Sequence, residues 1–475
     1  MDGMARTSEA NCRFVAEFEL VVTPHIEKMI LRRLDAGRMV FNALLSEALK
    51  RYDLFRQSRL YQKARRIPKN TPEQKQARTA AFRAARDAWK WTEVGLTSYL
   101  QTVGQRFTRT WLNQHVDSQI VKQLAKRVAL AVLQYSLGRK GRPRFKRKGM
   151  LSSLEGVNNR QSIMVKADEN HHLYVYWGAG TGSERLRVPL MIRADDLYHR
   201  HALTVMQPEK GFPGLKFTRI VQRVIRGRNR FYAQVTLIGL PYQRDTLQAQ
   251  GVVGIDIGPS TIAVVSNEAV FVEKFCAELG SKEREVRRLQ RKIDRQRRAN
   301  NPDCFTECGE WIKGRRATVV SRTMRSSLRR LRTIRQKQAD HRKSLHGNLV
   351  RRVLRCGSEF RLETLSYRAF QRSFGRSVLA RAPGLFVSHL RRKSSEVGAA
   401  FTEFSPYRTK LSQTCHGCRA IRKKPLSVRV HACSCGVTAH RDLYSAFLAR
   451  FVTNEVLELQ RACAEWPLFE LLLAA

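Results

Sequence analysis

The spacing of apolar residues changes twice along the chain, and each change marks a different kind of structure. A short run of β-branched and aromatic residues, CRFVAEFELVV at 12–22, reads as a strand. Thr23 and Pro24 then open a long amphipathic helix. Its apolar stripe runs through Ile26, Met29, Ile30, Leu34, Phe41, Leu44, Leu45, Ala48, Leu49 and Tyr52, with Arg32, Arg33 and Lys50 on the other side. Residues 57–90 continue basic and helical around a break at Pro68 and Pro72. A further stripe through Leu100, Val103, Phe107, Trp111, Val121, Leu124, Val128 and Leu133 extends the helical region over 94–135. From 160 to 240 the period shortens to two. SIMVKA, HLYVYW, LRVPLMI, GLKFTRIVQRVI and RFYAQVTLIGL alternate between Gly, Pro, Asn and Asp, which predicts a β-rich module. If the helices are an insertion, the strand at 12–22 belongs to that later sheet.

Further on, GVVGIDIGPSTIAVVS at 251–266 reads as a strand, a Gly-Pro turn and a second strand. Residues 281–298 and 320–354 are arginine-rich helices with narrow apolar seams, Val286, Leu289 and Ile293 facing Leu328, Leu331 and Ile334. A polar loop with Asn300, Asn301 and Pro302 joins them, so a helical hairpin is expected. EFRLETLSY is a short strand, and HRDLYSAFLAR leads into an apolar helix over 443–452. There is no internal repeat.

Charge narrows the choice of partner. The 475 residues suit two or three domains, and 88 basic against 40 acidic side chains leave a net charge of +48, which calls for a polyanionic partner, nucleic acid above all. GRKGRPRFKRKG at 138–149 has the composition of a loop lying on phosphates. No apolar run spans a bilayer and the N-terminus has no signal-type core, so a soluble protein of the cytosol with no membrane partner is expected. Of ten cysteines only one group of four has ligand spacing, which fits a reducing compartment; Cys304, Cys308, Cys12, Cys276, Cys356 and Cys463 are read as bystanders.

That group is Cys415-x-x-Cys418 and Cys433-x-Cys435, a thiolate set for one tetrahedral zinc, with Gly417 and Gly436 easing the turns. No ligand position is left open, so the zinc is expected to be structural. His416, His431 and His440 are substitutes by type, or simply neighbours. Asp256, between Ile255 and Ile257, is a carboxylate in an apolar strand that needs a cation or several donors. Glu363 is a second candidate, with Glu359 competing four residues earlier. Asp442 is a third, against the alternative of an ordinary helix cap. Three carboxylates from separate elements are what two-metal phosphodiester hydrolysis requires, with two Mg2+ ions about 3.5–4 Å apart. Gly-Ile-Asp-Ile-Gly is also similar to the phosphate loop of actin, heat-shock and sugar-kinase ATPases, but their second glycine-rich loop is missing here.

GIDIGPSTIA, RLETLSY, LSQTCHGC with HACSCG, and HRDLYSA, in this order, resemble the three RuvC motifs and the zinc ribbon of TnpB, the RNA-guided nuclease of insertion sequences, and of compact type V CRISPR effectors. RQRRANNP, SYRAFQRSFGRS, RAPGLF and YRTKLSQTC extend the resemblance over about 250–450. The resemblance implies an α/β multidomain protein: a ribonuclease H-like (RuvC) nuclease domain with an inserted zinc ribbon, and a β-barrel-like wedge domain interrupted by a helical recognition lobe. In this chain the wedge would occupy 1–24 and 151–248, the lobe 25–150, the nuclease domain 249–411 and 438–475, and the ribbon 412–437. It places the catalytic, Mg2+-binding residues at Asp256, Glu363 and Asp442 and the Zn2+ ligands at Cys415, Cys418, Cys433 and Cys435. It implies a guide RNA, a double-stranded DNA target that is unwound, and cleavage beside a short adjacent motif. The oligomeric state is left open. Three departures stand out: His440 replaces an aspartate, Tyr444 takes the place of an asparagine found in many relatives, and the second cysteine pair is C-x-C where C-x-x-C is usual. The expected function is an RNA-guided DNA endonuclease; the alternative is a guide-RNA-dependent DNA binder without efficient cleavage, with a transposase or an ATPase further behind.

Overall fold

In the computed structural model, which describes residues 12–102, 111–178, 184–242, 249–425 and 427–474, the chain divides into two units, residues 1–242 and 243–475. The first begins with strand β1 (Arg13–Leu20) and the long helix α1 (Pro24–Gln57). Thr23 caps α1 by accepting from Ile26 N, and Pro24 sits in the first turn, where its missing N–H costs nothing. Helices α2 (Arg59–Arg66) and α3 (Pro72–Ala88) follow. Pro72 is the start of α3, inside a capping box made by Thr71 and Gln74, and the chain breaks just ahead of it.

The stripe expected over 94–135 is not one helix. Helix α4 (Glu93–Thr102) and helix α5 (Ser118–Ser136) are separate, and Asp117 caps α5. Trp111 lies in a single 3-10 turn between them and is 46% exposed, so it does not extend the buried stripe; Val103 and Phe107 lie outside the described residues. The basic loop 138–149 is tied to α1 through its backbone, Asn42 pairing with both the N–H and the carbonyl of Lys146 at 2.8 and 2.9 Å.

Strands β2 (Ser153–Glu155), β3 (Ile163–Ala167), β4 (Leu173–Trp177) and β5 (Leu186–Met191) come next, then helix α6 (Leu197–Met206), then β6 (Leu215–Ile225) and β7 (Arg228–Ile238). Helix α6, capped by Asp196, interrupts what the alternation presented as strands alone. The seven strands form one antiparallel sheet in the order β2-β6-β7-β1-β5-β4-β3. β1 sits at its centre, Glu19 facing Tyr232 on one side and Met191 on the other, so the strand ahead of the helices does join the later sheet. Alternation holds across it: Leu173, Val175 and Trp177 are buried with Val188, Ala233 and Val235, while Glu17 and Glu19 on the other face pair with Arg223 and Arg230.

The second unit opens with β8 (Val252–Ile257), β9 (Thr261–Val265) and β10 (Val270–Lys274). The basic hairpin follows, α7 (Glu283–Asn300) packed on α8 (Arg322–Arg355). Its loop is pinned by Asn301, whose side chain accepts from Thr318 N and Val319 N at 3.0 Å. After β11 (Glu359–Glu363) come α9 (Tyr367–Arg381), α10 (Pro383–Glu396) and β12 (Ala400–Phe404). The chain then forms the cysteine-bearing segment with β13 (Val430–Ala432) and β14 (Thr438–His440), helix α11 (Arg441–Ala449) and helix α12 (Leu459–Ala474).

The five-stranded sheet runs β10-β9-β8-β11-β12, antiparallel from β10 to β8 and parallel from β8 to β12. Its two faces have separate cores. Val253, Ile255, Ile257, Phe360 and Leu362 pack with Val353 of α8 and Phe386 and Leu390 of α10. On the opposite face, Ala263, Val265 and Phe404 pack with Phe447 of α11 and Phe469 of α12. Among the described residues no helix is long and apolar enough to cross a membrane.

Candidate active site and cysteine cluster

Strand parity decides what Asp256 sees. Val253, Ile255 and Ile257 point into the α8 and α10 core, so Gly254 and Asp256 face α11. Helix α11 lies antiparallel along β8. Arg450, just past its end, donates from Nε to Val252 O at 3.2 Å, and a Cβ on Gly254 would stand 1.9 Å from Ala446 O. Four helical residues rise about 6 Å and two strand residues about 6.6 Å, so the same stagger carries Asp442 to Asp256. Gly254 is therefore a place where only the absence of a side chain lets the helix backbone settle on the strand. The isolated glycine in an apolar strand was a readable sign of that approach.

Glu363 arrives by the parallel pairing of β11 with β8. Leu362 faces Ile255, and the next residues along are Glu363 and Asp256. Glu359 and Arg361 share its parity. Glu359 is held by Arg361 Nε at 2.7 Å, and the same guanidinium donates to Arg450 O and Val452 O at 2.8 and 3.0 Å. Glu359 thus belongs to a structural contact at the far end of α11, and Glu363 is the carboxylate at the near end.

Asp442 is not the cap of its helix. His440 occupies that position with an extended backbone and makes no side-chain cap, and Asp442 stands in the first turn with Arg429 Nη1 3.7 Å from its Oδ2. The helix also stops at Ala449, short of 452, because Val452–Thr453 turns back as a strand against Val456–Leu457.

The electrostatics agree with a shared site. Burial pushes the Asp256 carboxyl well above the ordinary range, and the negative charges of Glu363 and Asp442 push it further, offset only in part by Arg441 and the Ile257 N–H. Burial raises Glu363 to about 7. Two carboxyls that resist ionisation beside a third acidic group form a donor set that a divalent cation would relieve, so the residues present fit hard, oxygen-bound metals.

The four cysteines converge more tightly. Among the described residues they are the one group of His, Cys, Asp or Glu whose donor atoms all lie within 4.8 Å of one another. Cys415 Sγ is 3.5 Å from Cys435 Sγ and Cys418 Sγ is 3.4 Å from Cys433 Sγ. Zn–S bonds of about 2.3 Å in a tetrahedron put sulfurs roughly 3.8 Å apart, so the set fits a thiolate-bound zinc. The Cys435 N–H and the Cys418 thiol hold Cys433 down at about 6, while burial pushes Cys415 up to about 12. Gly436, with φ +95°, makes the turn before Val437, and Gly417 lets that loop come close, its absent Cβ being 3.4 Å from Cys435 Sγ.

The histidines are not substitutes in this set. His416 and His431 are buried against Tyr444, and His440 is the exposed cap of α11. Tyr444 is itself fully buried, its hydroxyl accepting from His416 N at 2.9 Å and sharing a 2.9 Å hydrogen bond with His416 Nδ1. Its place beside a catalytic motif in the sequence gave no sign of this packing role. Of the bystander cysteines, Cys304 is buried and Cys308 exposed, and neither joins a ligand group among the described residues. A cavity of about 480 Å³ opens between α7, α8 and α9, with Arg287, Arg335, Arg342 and Arg376 on its walls; none of the three carboxylates lines it.

Residues 384–448 match the family described as Cas12f1-like, TNB domain, a stretch that includes α10, all four cysteines and Asp442. No curated protein matches the chain. Among solved structures, the chain is similar to that of a Cas12f1–sgRNA–target DNA complex, at 10% identity and a TM-score of 0.48 over 92% of this chain and 98% of that one. A CRISPR-Cas12f ternary complex gives 12% identity and a TM-score of 0.27 over 92% and 83%. A Cas12i–crRNA–dsDNA complex gives 11% and 0.27 over 82% and 62%. On the family match over 384–448 and the motifs upstream of it, the chain is similar to the TnpB-like compact type V effectors.

Proposed function

We propose that this chain is an RNA-guided DNA endonuclease that cleaves guide-matched DNA next to a short adjacent motif by two-metal-ion hydrolysis. The observation that carries this is the meeting of Asp256, Glu363 and Asp442 on one face of the five-stranded sheet. Mg2+ bound there would supply an activated water and charge stabilisation at the leaving oxygen. The chain's own part is to hold three carboxylates on a rigid strand pair and a docked helix.

The strand order and the mix of antiparallel and parallel pairing support a ribonuclease H-like RuvC domain over 249–411 and 438–475, with the zinc ribbon at 412–437 inserted. The central seat of β1 in the first sheet supports reading 1–24 and 151–248 as one wedge domain split by the helical lobe at 25–150. The net charge of +48 and the arginine-rich hairpin support a guide RNA and target DNA as partners. The test is reconstitution of the full chain with its co-purifying RNA and a matched duplex in Mg2+. Cutting is expected, and Asp256→Ala should abolish it while RNA and DNA binding persist. Bound but uncut DNA with the native chain would favour the guide-dependent binder instead.

A further inference from the structure

We infer that Tyr444 is a positioning residue: it latches both halves of the cysteine clamp to helix α11, so that zinc loading and divalent binding at the carboxylates are coupled. The inference rests on the reading of Asp256, Glu363 and Asp442 as a metal-binding trio.

Helix α11 is nine residues long and the residue at its N-cap, His440, makes no side-chain cap. A helix so short does not hold its first turn unaided. What holds it comes from the cysteine-bearing segment. Arg441 N donates to Arg429 O at 2.8 Å, and the Arg441 guanidinium donates to Pro425 O at 2.8 Å and Val428 O at 3.3 Å. Asp442 itself faces Arg429. Each partner lies between Cys418 and Cys433, in a stretch where, among the described residues, β13 is the one strand and there is no helix.

Tyr444 closes the connection. His416 sits between Cys415 and Gly417 in the first knuckle, and its backbone and ring both engage the Tyr444 hydroxyl. His431 leads into the second knuckle, and its ring stacks on the same tyrosine with centroids 3.9 Å apart. One side chain, two residues beyond Asp442, therefore touches both arms that the four thiolates would draw together. Cys463 Sγ donates to His416 O at 3.1 Å and the Trp466 ring lies 4.4 Å from the His416 ring, so α12 backs the knuckle from behind. When the thiolates are tied, His416 and His431 form a fixed slot for Tyr444 and the first turn of α11 is set over β8. When they are not, the slot and the carbonyls that hold Arg441 loosen together. Coupling of this kind is reciprocal, so each metal strengthens the other.

The experiment uses the full-length chain freed of nucleic acid, with zinc content measured by atomic absorption and Mn2+ binding by electron paramagnetic resonance. Tyr444→Phe keeps the ring and loses the hydroxyl. It should retain one zinc per chain yet bind Mn2+ about three- to tenfold more weakly. Stripping zinc from the native chain should weaken Mn2+ at least as much. Phe469→Leu, in the core behind α11, is the control: it should lower thermal stability and leave Mn2+ affinity as it was. Unchanged Mn2+ affinity in Tyr444→Phe, or an equal loss in Phe469→Leu, overturns the latch. Asp442→Asn separates the two readings. If Mn2+ is lost there and kept in Tyr444→Phe, the latch alone fails; if it is kept in both, the trio fails and the latch with it.

Discussion

The cysteine cluster and the carboxylate cluster of the second unit are built on opposite principles. The four sulfurs come from one short stretch of chain with little sheet or helix of its own, and they lie close enough to touch. A cation bound there would do the work of a core. The three carboxylates come from β8, β11 and α11, distant in sequence, and they repel one another. There the fold does the work, and a bound cation would relieve what the fold imposes. Removing metal should therefore unravel the first site and merely leave the second one strained, while removing a ligand side chain should loosen the first and relieve the second.

The largest effects separate the two directly. Asp256→Ala should lower cleavage of a matched target by at least about 10³-fold, and, because it deletes a buried carboxyl with two acidic neighbours, it should raise the melting temperature of the metal-free protein. A fall in stability would show that Asp256 is held by its surroundings and is not strained by them. Cys418→Ser should act the other way, losing zinc and opening the segment between Cys415 and Cys435 to proteolysis. Retained protease resistance without zinc would mean that the segment has an adequate core of its own. Gly254→Ala comes next. Its methyl would meet Ala446 O, so a cost of about 3 kcal/mol is expected, together with a loss of cleavage of tenfold or more as α11 lifts Asp442 from the site. Stability lost without activity would show that Asp442 is positioned independently of the helix docking.

The same contrast explains which features were legible in the amino-acid pattern. The cysteine ligands are local, and spacing alone picked out all four. The strand at 12–22 and its partners follow a period of two, so its return to a distant sheet could be anticipated from order alone. Asp256 was visible because an acid among Val253, Ile255 and Ile257 has no apolar purpose. Glu363 was harder, since Glu359 has the same parity; only the three-dimensional reach of Arg361 to the end of α11 tells them apart. Helix α6 was missed because its apolar residues sit among strands of similar composition. The roles of His416, His431 and Tyr444 were hidden because a buried hydrogen-bonded cluster of rings leaves no periodic trace.

The smallest expected effects come from pH, where the carboxylate site can be set against an ordinary half-buried histidine of the same unit. Glu363 is raised to about 7 by burial, so its uncharged form is favoured in the native state; the stability it contributes is full below its ordinary value of 4.5 and is lost as pH rises through 7. His389 on α10 is lowered to about 4, by burial first and then by Arg392, Lys393 and His346, with Glu396 opposing. Its stability is full above 6.5 and is lost as pH falls towards 4. Between 4.5 and 6.5 the two trends oppose each other. The Glu363 effect should be about 2 kcal/mol, and that of the half-exposed His389 nearer 1 kcal/mol after solvent screening. Urea denaturation in chelator at pH 5 and pH 7.5 measures both. Relative to the native chain, Glu363→Gln should gain stability mainly at pH 7.5, and His389→Gln, which has no titrating ring, should gain mainly at pH 5. Adding Mg2+ should remove the Glu363 difference and leave the histidine difference in place, because a cation can take the place of the carboxyl's proton and has nothing to offer a ring packed between α8 and α10. Parallel curves for Glu363→Gln and the native chain, with and without Mg2+, would show that Glu363 stands outside the metal site and that only two carboxylates share it.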